Sequence, residues 1–86
     1  MSSFIKRIEK FVYKQNEINI NDVRRLLNDF DYTESKNPGS ECIFHKKGSF
    51  PINVPTVKGR YVKKRYVERI VRILELEEYL EKFKGD

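Results

Sequence analysis

Cys42 and His45 are the chain's one cysteine and one histidine, the side-chain types best suited to nucleophilic and acid–base chemistry, and they stand three residues apart. The segment around them, Glu41-Cys42-Ile43-Phe44-His45, reads as a strand, so alternation sends the two side chains to opposite faces and defeats a local thiolate–imidazole pair. Cys42 then reads as a small buried hydrophobe. A zinc site needs about four converging Cys, His or carboxylate ligands, so no metal centre is expected. Gly39, Gly48, Gly59 and Gly85 do not fall at the spacings of a phosphate-binding loop or a dinucleotide fingerprint, so no cofactor is expected either.

The cations carry more information. Between Lys58 and Arg72 stand seven basic residues, Lys58, Arg60, Lys63, Lys64, Arg65, Arg69 and Arg72, against one acid, Glu68. The rest of the chain has eleven basic and twelve acidic residues, so the net charge of +5 is concentrated entirely in that stretch. Such asymmetry creates a local field for phosphates. With Tyr61 and Tyr66 interleaved, cations could neutralise phosphates while a tyrosine stacks on an unpaired base, as in binders of single-stranded RNA. The plainer reading is a solvated helix face, with Tyr61 packing the loop and Tyr66 flanking the core.

The elements that must position these groups follow from periodicity. Phe4, Ile5, Ile8, Phe11 and Val12 form one apolar stripe of a first helix capped by Ser2 or Ser3 and running to about Lys14. Asn19 reads as the N-cap of a second helix, with Asp22 completing a capping box and Ile18 and Val23 spaced as a hydrophobic staple. The buried side of that helix is Ile20, Val23, Leu26, Leu27 and Phe30. Three strands should follow: Tyr32-Thr33-Glu34-Ser35, then Glu41 to His45 after a turn at Lys36-Asn37-Pro38-Gly39-Ser40, then Phe50-Pro51-Ile52-Asn53-Val54-Pro55. Two prolines make the third an edge strand. A third helix begins near Val62, with Val67, Ile70, Val71 and Leu74 inward and Arg65, Arg69 and Arg72 outward. Leu76, Tyr79, Leu80 and Phe83 start a new stripe among Glu75, Glu77, Glu78 and Glu81, either a bent continuation or a separate short helix.

At 86 residues the chain makes one domain, and a hydrophobic fraction of 38% suffices for a core but not for a large catalytic cavity. A single cysteine, no signal-peptide pattern and no apolar run near the roughly 20 residues of a membrane span lead us to expect a cytoplasmic protein without membrane insertion.

Gly39-Ser40-Glu41-Cys42-Ile43-Phe44, then Ile52-Asn53-Val54-Pro55-Thr56-Val57-Lys58-Gly59-Arg60-Tyr61-Val62-Lys63, then the helix from Tyr66, resemble the HicA (YcfA-like) family of small toxins from toxin–antitoxin pairs. The family pattern joins a short helix, a Gly-Ser-His start to the second strand with an aromatic three residues after the His, a Val/Ile-Pro end to the third strand, a lysine-bearing loop and a closing helix. Residues 19–76 carry the match; 1–16 are an N-terminal helical extension and 77–86 a C-terminal segment. The resemblance implies an α+β, dsRBD-like fold, with helices packed on one face of a three-stranded antiparallel sheet. It also implies RNA as substrate, metal-independent endoribonuclease activity, and a HicB-like antitoxin as partner. The candidate RNA contacts are Ser40, Lys46, Lys47, Lys58, Arg60, Tyr61, Lys63, Lys64, Arg65 and Arg69.

Glu41 stands where the family carries its catalytic His. A carboxylate can take a proton from a ribose 2′-hydroxyl, but it is ionised at neutral pH and returns a proton only if burial raises its pKa. Three readings follow: Glu41 is the base, the chemistry is lost with RNA binding retained, or Glu41 is a solvated strand residue. His45, the second catalytic candidate, shares its strand face but lies four residues on, roughly 13 Å away, so it replaces the missing group only if the RNA takes a different path. The competing class is a catalytically inactive protein-interaction module, in which Leu76, Tyr79, Leu80 and Phe83, or the first helix, meet a partner or a second copy of the chain.

Overall fold

A computed structural model describes residues 3–35 and 41–84. Helix α1 (Ser3–Tyr13) turns through a 3₁₀ segment at Gln15–Glu17 into α2 (Ile20–Asp29). Strands β1 (Thr33–Glu34), β2 (Glu41–His45) and β3 (Ile52–Pro55) follow, then α3 (Lys64–Ile73) and α4 (Leu76–Lys84). The strands form an antiparallel sheet in the order β1-β2-β3, so β3 is an edge. Among the described residues this is an α+β fold of four α-helices and a three-stranded sheet, compatible with the dsRBD-like arrangement.

Local chemistry explains the boundaries of α2. Asn19 Oδ1 accepts from the Asp22 N–H at 2.9 Å while Asp22 Oδ2 accepts from the Asn19 N–H at 3.1 Å, a complete capping box. At the other end Asp31 takes φ 68°, and the Tyr32 and Asp31 N–H groups donate to the carbonyls of Leu27 and Asn28 at 2.9 and 3.1 Å. That is a Schellman motif. Its buried Tyr32 starts the chain toward β1.

One continuous core joins the helices to one face of the sheet. Ile8 and Phe11 of α1, Leu26 and Leu27 of α2, Phe44 and Val54 of the strands, Val67 and Ile70 of α3, and Leu76 and Leu80 of α4 all belong to it. Helix α1 is bound further to α2 by the Arg7–Asp29 ion pair and by Lys10 Nζ donating to Asp22 Oδ2 at 3.0 Å. Helix α4 is a separate element, because Glu75 adopts φ 53° after the α3 C-cap and its carbonyl then accepts from the Glu78 and Tyr79 N–H groups. Its stripe is taken up internally: Leu76 and Leu80 are buried, and the Tyr79 ring meets Phe30 and Phe4 edge-on at 5.4 and 6.1 Å. Of the stripe expected to meet a partner, Leu76 and Leu80 are taken into the core while Tyr79 keeps 38% of its surface exposed; the Phe83 side chain lies outside the described part.

Three element boundaries depart from the sequence reading. Strand β1 is limited to two residues, since Tyr32 is consumed by the α2 cap. Strand β3 begins at Ile52, opposite Phe44, which leaves Phe50 and Pro51 in the preceding turn. Helix α3 begins at Lys64 because Lys63 is extended (φ −65°, ψ 146°) and Val62 is buried ahead of it. The turn at residues 36–40 lies outside the described residues.

Candidate nucleic-acid interface

Strand β2 sorts the candidate chemistry onto two faces. Cys42 and Phe44 point to the helices, while Glu41, Ile43 and His45 point to the side no helix covers. Beneath α2, Arg24 Nε donates to Glu34 Oε1 at 2.8 Å and Arg24 Nη2 to Glu34 Oε2 at 3.3 Å, a forked pair. The same Nη2 lies 3.9 Å from Cys42 Sγ. The hydrogen bond to Glu34 holds the Arg24 pKa above its ordinary value. Burial pushes the Cys42 thiol up, and Glu34 adds to the shift, so the thiolate needed for nucleophilic chemistry is disfavoured. Cys42 is structural here.

Glu41 and His45 sit at opposite ends of the open face. Glu41 pairs with Pro55 of β3, whereas His45 pairs with Thr33 of β1. Both side chains are exposed, and among the described residues no hydrogen bond or ion pair holds either of them. Four strand residues put them roughly 13 Å apart, so they do not form one acid–base pair. The candidate cations divide the same way. Lys46 and Lys47 follow His45 into the turn between β2 and β3, and Lys46 Nζ stands 5.6 Å from the centre of the Tyr32 ring. The others follow Pro55 at the Glu41 end.

At that end the chain builds a pinned loop. Lys58 and Gly59 both take positive φ, 54° and 65°, the pattern of a type I′ turn, and Val57 and Tyr61 pair across it. The Ile20 N–H donates to the Arg60 carbonyl at 2.8 Å and the Val62 N–H to the Ile18 carbonyl at 3.3 Å, which stitches the loop to the start of α2. Buried Val62 anchors it below. Lys58, Arg60 and Tyr61 therefore project from a backbone that is already fixed, with Tyr61 55% exposed.

Helix α3 opens next to this loop with Lys63, Lys64 and Arg65. Lys63 is the N-cap, makes no side-chain cap hydrogen bond, and no acid occupies the first turn. The first N–H groups of a helix are unsatisfied by the helix itself, and its N-terminus carries roughly half a positive charge. Three cations there repel that end rather than neutralise it. Lys64 finds Glu68 at 3.8 Å. Arg65 lies 5.0 Å from the centre of the Tyr66 ring and donates to its hydroxyl at 3.2 Å, so Tyr66 offers that ring face to Arg65 and not to a base. Pro55, Thr56, Val57, Lys63, Arg65 and Tyr66 line a shallow depression between the end of β3 and this helix start. Glu41 is the register partner of Pro55, one of the lining residues, and is not itself in the lining.

No known protein family, curated protein or solved structure matches this chain.

The structure thus brings Glu41, Lys58, Arg60, Tyr61, Lys63, Lys64 and Arg65 to one end, with exposed Arg69 one turn further along α3. It sets His45, Lys46 and Lys47 apart, and Ser40 lies outside the described residues. Arg72 leaves the basic group: it borders a groove with Glu68, Glu75, Glu77 and Glu78. Among the described residues no cluster of His, Cys, Asp and Glu could hold a metal ion, and no helix is long and apolar enough to cross a membrane. Phe50, expected in the third strand, lies ahead of β3 and is 92% exposed.

Proposed function

We propose that this chain binds RNA at the Glu41 end of the sheet, with Lys58, Arg60, Lys63, Lys64, Arg65 and Arg69 neutralising phosphates and Tyr61 stacking on a base. The observation that carries the reading is the start of α3, where cations crowd a positive helix end that the Lys63 side chain does not cap and whose first turn holds no acid. That arrangement costs stability in the free protein and is relieved by an anion. Measured against salt, affinity for single-stranded RNA should fall with a slope of about −3 in log units if about four cations meet phosphates. A flat salt dependence would sink the reading.

The HicA resemblance extends the proposal to a protein of the toxin type with a HicB-like antitoxin as partner, and puts Glu41 where that family places its catalytic His. Metal-free incubation of wild type, Glu41→Ala and Glu41→His with single-stranded and structured RNA tests the chemistry. Cleavage by wild type that is lost in Glu41→Ala makes Glu41 the base of an endoribonuclease. Cleavage by Glu41→His alone marks a binding protein whose catalytic site has decayed. No RNA binding by any variant favours the interaction module, with a second copy of the chain or another protein as partner.

A further inference from the structure

We propose that Phe50, in the connection between β2 and β3, is a second contact for single-stranded RNA, so that a bound strand runs along the sheet from the α3 start to that connection. The inference rests on the RNA-binding reading and adds a path and a stacking residue to it.

The turn is built, not loose. The Ser49 N–H donates to the Lys46 carbonyl at 3.0 Å, and Gly48 supplies the positive φ of 82° that the reversal needs. Lys46 is steadied over Tyr32, and Pro51 follows with a fixed φ and no N–H to engage. Out of this frame Phe50 projects with 92% of its surface in water. A phenyl ring so placed buries almost nothing for the fold, yet its face is open to any base, and Lys46, Lys47 and His45 stand beside it in sequence to meet phosphate.

Between the two ends lies a surface no helix covers. Exposed Asn53 is paired with half-buried Ile43, and the Ser35 N–H donates to the Ile43 carbonyl at 2.8 Å on the other side. The face offers two apolar side chains, Ile43 and Pro55, with polar neighbours, one acid, Glu41, and cations at both ends, which suits a polyanion with unpaired bases. An anionic membrane fits less well, because insertion calls for a broad apolar face and the turn supplies one phenyl ring.

The chain has no tryptophan, so Phe50→Trp introduces a single indole as a reporter. Full-length wild type, Phe50→Ala, Phe50→Trp and the double variant Lys58→Ala/Lys63→Ala are titrated with fluorescein-labelled oligouridylate of about 12 nucleotides, a length within the usual range of such sites. Phe50→Ala should weaken binding about tenfold, the effect of losing one stacked base, with an unchanged salt slope because no charge is removed. Phe50→Trp should keep the affinity, and RNA should quench its emission. The double variant should lower both affinity and slope.

Unchanged affinity in Phe50→Ala, or an indole that RNA leaves unquenched, overturns the second contact while loss of binding in the double variant keeps the first. If wild type binds no RNA, both readings fall. Phosphatidylserine vesicles that hold wild type but not Phe50→Ala, with RNA affinity unaltered, would assign the turn to a membrane surface instead.

Discussion

Helices α2 and α3 begin side by side and begin alike in all but their polar chemistry. Each has a buried aliphatic residue just before its cap, Ile18 and Val62, and a buried valine at the fourth helical position, Val23 and Val67. The spacing is that of a hydrophobic staple in both cases. Backbone hydrogen bonds from Ile20 to Arg60 and from Val62 to Ile18 join the two helix starts. Yet α2 closes its end with Asn19 and Asp22, whereas α3 presents Lys63, Lys64 and Arg65 to an end that its N-cap side chain does not close and whose first turn holds no acid. Apolar requirements are the same at both, so the difference marks a site where the chain gives up local stability. On the RNA-binding proposal, an incoming phosphate would supply what Asp22 supplies next door.

The largest effects should come from the shared part and should not distinguish the two. Val23→Ala and Val67→Ala each remove a fully buried side chain and should each cost about 2 kcal/mol in urea unfolding. Markedly unequal costs would break the parallel. The caps should then separate them: Asn19→Ala should destabilise by about 1 kcal/mol, because it removes the acceptor of the Asp22 N–H. Lys63→Ala, which removes no cap hydrogen bond, should leave the unfolding midpoint unchanged or raise it slightly.

What could be read in the chain was whatever is decided within a few residues. The Asn19 capping box, the inward stripe Val67, Ile70, Val71 and Leu74, and the opposite faces of Cys42 and His45 depend only on local spacing. The start of α3 at Lys64 is not legible locally, because the apolar spacing places it near Val62; the burial of Val62 beside Ile18 is a contact across 44 positions, the difference of their numbers. Charge counting also misled at Arg72. Along the sequence it closes a basic run, but α4 folds back and sets Glu77 and Glu78 across the groove it borders. That reversal turns on Glu75 at φ 53°, a conformation that ordinarily announces itself through glycine. Phe50 went unread for the same reason as β3's start: only the register Phe44 to Ile52 shows that the ladder ends before it.

A smaller effect, with an informative sign, is expected from Lys63→Asp. The backbone there is already extended, as an N-cap requires, so aspartate can cap without rearrangement. Stability should rise by about 0.5–1 kcal/mol while RNA affinity falls, since a carboxylate now occupies the place proposed for phosphate. Stabilisation with undiminished RNA binding would detach the open helix end from function.

The smallest effect should belong to Lys64→Ala, where two terms oppose each other. The change breaks the 3.8 Å pair with Glu68, worth about 0.3–0.5 kcal/mol for exposed helical neighbours. It also lifts one cation from the positive end of α3, a gain of about 0.3–1 kcal/mol at low ionic strength. The net shift in unfolding free energy should therefore stay within about 0.5 kcal/mol of zero and lean toward stabilisation at low salt. Added salt screens both terms, so the difference between variant and wild type should shrink as ionic strength rises. A loss above about 1 kcal/mol would mean that Lys64 is held by its ion pair as a structural element. In that event the α3 start would be a stabilised end like that of α2, and the contrast between the two helices would lose its basis.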